Sequence, residues 1–148
     1  MDDHVLWEIR AFVYRQFAET ARPPHVGEVA SHFALTNEES IAAYEQLHER
    51  HALFLKPGTH EILMANPFSG VDTSFNVRAN GKTYFANCAW DSLGIPAALH
   101  TDAEIEAVCA QTGEPVYLRV SGGEVDSSDA LAHFLVPFRD WYDDLTFT

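Results

Sequence analysis

An α+β fold is predicted by three observations. Apolar residues recur at helical spacing through roughly the first third of the chain, and the period changes to strand-like alternation near residue 66. An Asn-Gly pair then separates two alternating segments, a strong short-range hairpin signal.

In chain order, Val5, Leu6, Ile9, Phe12, Val13 and Phe17 recur at three and four, which predicts an amphipathic helix over 5–18. Pro23-Pro24 ends the following connection, and Val26, Val29, Ala30 and Phe33 share one face of a second short helix over 25–33. Thr36 with Glu39 three residues on reads as a capping box that opens a third helix, with Ile41, Tyr44 and Leu47 inward and an end near His51. Ala52–Leu55 and Glu61–Met64 then read as two strands joined by the turn Lys56-Pro57-Gly58-Thr59-His60. Three helices and a β-ribbon make residues 1–65 a winged-helix-like region. A DNA-reading third helix should be basic at its exposed positions, whereas this one carries Glu38, Glu39, Glu45 and Glu49. Residues 1–65 hold five Lys or Arg against ten Asp or Glu, so packing or protein interaction is the expected role.

Asn66-Pro67-Phe68-Ser69-Gly70 has the composition of a linker and marks the expected boundary with a second region, 66–148. Ser74–Arg78 and Lys82–Phe85 flank Asn80-Gly81 and form the first hairpin of an antiparallel core. Asn87–Leu93 should make one or two helical turns, stopping by Gly94 and Pro96. Ala103–Cys109 and Val116–Val120 form a second hairpin, Ser121-Gly122-Gly123 a further turn, and Ala130–Val136 a last strand before the tail Trp141-Tyr142-Asp143-Asp144.

Composition bounds the partners. The chain has 148 residues, 47% of them hydrophobic and 12% aromatic, enough for a packed core. A formal charge of −13 repels phosphate backbones and anionic lipid, so neither nucleic acid nor membrane is an expected partner. No apolar run approaches the roughly 18 residues that a membrane span requires. Met1-Asp2-Asp3-His4 lacks the start of a secretion signal, and two cysteines in a chain of this size imply free thiols in a cytoplasmic protein.

The compact chemical constellation is Asn87-Cys88-Ala89-Trp90-Asp91. Cys88 and Asp91, three apart, share one face of a helical turn and can act on one ligand. A thiolate is a soft ligand and nucleophile, and a carboxylic acid beside it can protonate what leaves, so the pair suits attack on a soft metal centre. C-x-x-D is a common spacing, and a purely structural pair is the alternative reading.

The stretch Tyr84-Phe85-Ala86-Asn87-Cys88-Ala89-Trp90-Asp91-Ser92-Leu93-Gly94-Ile95-Pro96-Ala97 resembles the signature of the organomercurial (alkylmercury) lyases. Asn66-Pro67-Phe68-Ser69, the Asn80-Gly81 hairpin and Cys109-Ala110-Gln111-Thr112-Gly113-Glu114-Pro115-Val116 resemble the family in order and separation. The resemblance implies cleavage of a carbon–mercury bond to a hydrocarbon and mercuric ion, as in mercury resistance, without an organic cofactor. It places Cys88 on the first mercury-binding cysteine and Asp91 on the carboxylate that relays a proton to the leaving carbon, both in contact with mercury as substrate or product. It assigns Trp90 no role beyond packing.

One departure alters the expectation. The family's second mercury-binding cysteine lies beyond a strand like Ala132-His133-Phe134-Leu135, and no cysteine follows Cys109 here. Cys109 matches a non-catalytic cysteine of the family and, alternating with Ile105 and Ala107, should face the core. The ending Leu145-Thr146-Phe147-Thr148 reads as a stop inside the family's fold, in a fragment or a shortened relative. An external thiol is then expected to stand in for the absent sulfur. Two functions follow: an organomercurial lyase, or a non-catalytic relative that binds a soft metal or organometal through Cys88 as scavenger or sensor. Weaker candidates are a metal pair His48/His51, a hard-cation cluster Asp140/Asp143/Asp144, and Ser127-Ser128-Asp129 as a turn or cap.

Overall fold

The computed structural model describes residues 1–126 and 129–144. Its order is α1 (Asp3–Thr20), α2 (Val26–Phe33), α3 (Asn37–Glu49), then strands β1 (Phe54–Leu55), β2 (Ile62–Ala65), β3 (Phe68–Ser69), β4 (Asn76–Ala79) and β5 (Lys82–Phe85). Helix α4 (Ala89–Leu99), β6 (Ala103–Val108), β7 (Pro115–Ser121) and β8 (Glu124–Val125) follow, with a single 3-10 turn at Phe138–Asp140. The architecture is α+β with two antiparallel sheets, ordered β1-β2-β3 and β5-β4-β6-β7-β8.

The three helices form where the apolar spacing and caps place them. Helix α1 buries Leu6, Ile9, Phe12, Val13 and Phe17, and Asp2 caps its start by accepting from the His4 N–H at 2.8 Å. At α3 the Thr36 hydroxyl accepts from the Glu39 N–H at 3.1 Å, and the Glu39 carboxylate accepts from the Thr36 N–H at 2.8 Å, the reciprocal box expected there. Tyr44 and Leu47 are buried as expected, whereas Ile41 is only half-buried and Ala43 takes the inner position.

The Asn66–Gly70 stretch departs from the linker expectation. Phe68 and Ser69 are buried strand residues paired with β2, and the Asn66-Pro67 peptide is cis. The reason is Phe68, 2% exposed, whose ring stacks on Phe17 of α1 at 5.1 Å and meets Tyr84 of β5 at 5.8 Å. Tyr84 also donates its hydroxyl to the Ala18 carbonyl of α1 at 2.7 Å. One hydrophobic cluster therefore runs from Leu6 to Val120 through this junction.

The β4–β5 hairpin has the expected register, with Ala79 opposite Lys82 and both turn residues at positive φ, 51° at Asn80 and 72° at Gly81. Beyond it α4 is longer than expected and passes through Gly94 and Pro96. A side chain at Gly94 would bring a Cβ within 3.0 Å of the Pro67 ring, so glycine admits the close approach of α4 to the 66–68 segment. Pro96 forfeits one helical hydrogen bond, a cost of up to about 3 kcal/mol, but Ile95 and Pro96 are buried against the sheet and packing prevails.

The expected strand over Ala130–Val136 does not form. Leu131 is 93% exposed, and the segment instead leads to the 3-10 turn, after which Tyr142 stacks on His51 at 4.4 Å. Of the Ser121–Asp129 turns, Gly122 and Gly123 adopt positive φ, while Ser127 and Ser128 lie outside the described residues. Among the described residues no helix is long and apolar enough to cross a membrane.

Because Phe68 joins the helices to the second sheet, Phe68→Ala should lower unfolding stability by about 3–5 kcal/mol, whereas Leu131→Ala should change it by less than about 0.5 kcal/mol. Urea denaturation followed by circular dichroism checks both.

Candidate active site

Cys88 follows β5 and is the N-cap of α4, with an extended backbone and a carbonyl that accepts the first helical bond from the Ser92 N–H at 3.0 Å. The spacing of three puts Asp91 at the third position of the helix, on the same face as the thiol. The two side chains lie close enough to perturb each other's acidity, and both are half-buried. The helix start thus brings the two side chains together, as their spacing predicts.

Opposing effects set the thiol's acidity. Burial pushes the Cys88 thiol up; the N–H groups of Asp91 and Trp90 at the helix start draw it down; the Asp91 charge and the S–H···carboxylate bond push it up again. Burial prevails, and the resting sulfur holds its proton more firmly than a free cysteine. Asp91 is also pushed up, by burial first, with the Asn87 amide and the Cys88 thiol counteracting. The result is a carboxylate better able to carry a proton than an exposed aspartate, in contact with the group that can supply one.

Four residues to which the sequence assigns no chemical role, Asn87, Asn66, Tyr14 and Arg10, complete the surroundings. The Asn87 Nδ2 donates to Asp91 Oδ2 at 2.9 Å and lies 3.1 Å from Asn66 Oδ1, 3.3 Å from the Phe68 carbonyl and 3.4 Å from that of Pro67. The Asn66 carbonyl accepts from the Tyr14 hydroxyl at 3.0 Å, and Arg10 donates to that hydroxyl at 3.2 Å. Burial raises the Tyr14 phenol, Arg10 lowers it, and the Asp91 charge raises it, which places α1 within electrostatic reach of the site. The Asn87–Asp91 pair was legible as an amide four residues before a carboxylate. Tyr14 and Asn66, 77 and 25 positions before Asp91 by number, left no such local signal.

Two expectations are corrected here. Trp90 is 68% exposed beside the thiol and packs into no core. Cys109 lies past the end of β6 in the turn to β7, half-buried, because alternation stops at Val108. Its thiol is drawn down by the Thr112 hydroxyl and the N–H groups of Thr112 and Gln111, against small opposing effects of burial and the Glu114 charge. Among the described residues no three His, Cys, Asp or Glu side chains group to hold a metal ion, so His48/His51 and the Asp140/Asp143/Asp144 set form no such centre. His48 instead accepts from the Leu55 N–H at 3.4 Å.

A thiol and a carboxyl therefore lie together at the start of α4, on a mixed α+β frame. The chain belongs to the alkylmercury lyase family: residues 68–147, more than half of it, match the family model described as MerB, alkylmercury lyase. Alkylmercury lyases of Bacillus cereus and Clostridium butyricum are each 33% identical to it over 70 residues, 45% of this chain and 32% of the relative. The chain thus spans about a third of the length of the curated relatives it matches. The crystal structure of the mercury-bound form of MerB2 shares the fold, with a TM-score of 0.66 at 20% identity over 87% of this chain and 61% of that one.

Since one thiol is raised and the other lowered, iodoacetamide at neutral pH should label Cys109 before Cys88, the difference narrowing as pH rises and both become thiolates. Asp91→Asn removes the charge and the acceptor that raise Cys88, so the Cys88 labelling profile should move to lower pH. Peptide mass spectrometry across a pH series reads both.

Proposed function

We propose that the chain cleaves carbon–mercury bonds, with Cys88 as the mercury-binding nucleophile and Asp91 as the proton relay. The observation that carries this reading is the closeness of the Cys88 thiol and the Asp91 carboxyl at the start of α4, each perturbing the other's acidity, inside the segment matched by the family model.

The step balances with these two groups. An alkylmercury bound to a small thiolate meets Cys88; the S–H proton passes to Asp91 as the sulfur–mercury bond forms. Asp91 then gives that proton to the carbon, the carbon–mercury electron pair stays with the carbon, and the hydrocarbon leaves. Mercuric ion remains between Cys88 and the small thiolate. The proton that Cys88 loses is the one the hydrocarbon gains, so no oxidant, reductant or organic cofactor enters.

Release of mercury needs further sulfur. The Cys109 thiol is engaged by Thr112 and Gln111 within its own turn, so external thiols are assigned the task of completing and then removing the mercury complex. This places an organomercurial and a small thiol as the partners, in a thiol-rich compartment such as cytoplasm. A second reading, stoichiometric capture by a scavenger or sensor, is favoured by the single sulfur at the site and differs from the first in yielding no hydrocarbon.

Incubation of the chain with phenylmercury and excess thiol should release benzene at a rate above thiol alone, measured by gas chromatography. Cys88→Ser should abolish release. Asp91→Asn should still capture phenylmercury while release falls by about 10²- to 10⁴-fold, the usual worth of a positioned acid. Capture without benzene from the unaltered chain would replace the lyase reading by the binder.

A further inference from the structure

The acidic residue at the third position of a helix normally turns back to its cap, and this chain does so twice. Glu28 accepts from the His25 N–H at 2.8 Å at the start of α2, and Glu39 accepts from the Thr36 N–H at 2.8 Å at the start of α3. Asp91 occupies the same position in α4, yet its carboxylate bonds the Asn87 amide and the Cys88 thiol instead, and α4 has no capping box.

The Asn87 amide is placed to cause the difference. Of its four oxygen neighbours Asp91 Oδ2 is the nearest, and that bond is charge-assisted. The opposite amide orientation would set an oxygen against those same four acceptors, so the NH2 end is fixed where it is. The other end of the group is unrewarded: Asn87 Oδ1 is buried with no hydrogen-bond partner. Buried polar atoms in folded chains are almost always paired, and an asparagine retained for stability alone would have both ends satisfied. The cis Asn66-Pro67 segment and Phe68 carry the acceptors that anchor the amide from the other side.

From this contrast we infer that Asn87 is a positioning residue: its side-chain amide holds the Asp91 carboxylate away from the α4 cap and against the Cys88 sulfur. Asn87 touches neither mercury nor carbon; it acts through Asp91. The inference rests on the carbon–mercury lyase reading for its consequence in turnover, while the geometry it describes also governs the capture step, in which Asp91 takes the thiol proton.

A double-mutant cycle tests it, made in the Cys109→Ser chain so that a single thiol reacts. The variants are Asn87→Ala, Asp91→Asn and the pair; Asn87→Asp, which keeps the shape and removes the donor, is the second probe if the alanine variant melts early. Phenylmercury capture is followed by stopped flow and benzene release by gas chromatography. Asn87→Ala should lower kcat and the capture rate by about 10- to 100-fold with KM changed less than about threefold, the usual effect of losing a partner that orients a reacting group. In the Asp91→Asn background the same change should have almost no further effect. Full kcat in both Asn87 variants, or losses that simply multiply with that of Asp91→Asn, would overturn the positioning role and leave the lyase reading standing. Absence of benzene from the parent chain would overturn the lyase reading, and the cycle on capture rates would then decide the positioning role by the same criterion.

Discussion

Phe68 is the contact on which the arrangement depends. Its ring lies between Phe17 of α1 and Tyr84 of β5, at the junction where the helices and the five-stranded sheet bury their apolar faces in one cluster. The placement has a consequence at each end of its own segment. On one side Asn66 presents its backbone carbonyl to Tyr14 and its side chain to Asn87; on the other, Pro67 lies close enough to α4 that a side chain at position 94 would crowd its ring. The start of the helix that follows Cys88 is thereby linked through Asn66 and Asn87 to Tyr14 of α1, to which it is not adjacent in sequence.

The chemistry of the site follows from which of two ordinary effects prevails. A helix start favours anions, and a cysteine at a cap would usually gain thiolate character from it. Here burial and a neighbouring carboxylate oppose that pull and the proton stays. At Cys109 burial is slight and a hydroxyl with two N–H groups faces the sulfur, so the balance reverses. Two thiols of one chain thus carry opposite perturbations for reasons visible in their immediate neighbours.

Much of this was legible in the sequence because it is encoded locally. The helical spacing of Leu6, Ile9, Val13 and Phe17, the Thr36–Glu39 box and the Asn80-Gly81 turn each specify structure within a few residues, as does the Cys88–Asp91 interval. The failures share the opposite cause. Asn66–Gly70 has turn composition, and only distant Phe17 and Tyr84 make it a strand. Pro96 signals an end that packing overrides, Ala130–Val136 has strand composition but takes no strand conformation, and Cys109 continues an alternation that the strand itself does not. The site was read as two residues because Tyr14 and Asn66 are brought in by tertiary structure alone.

The S–H···carboxylate pair has an implication for charge. Burial raises both the Cys88 thiol and the Asp91 carboxyl, so negative charge on either is penalised in this half-buried place. A soft monocation that takes the sulfur while the proton stays on the oxygen leaves the same place electrically neutral. The desolvation that raises the resting thiol would be relieved by such an occupant, whereas a dication in its place would leave an excess of positive charge.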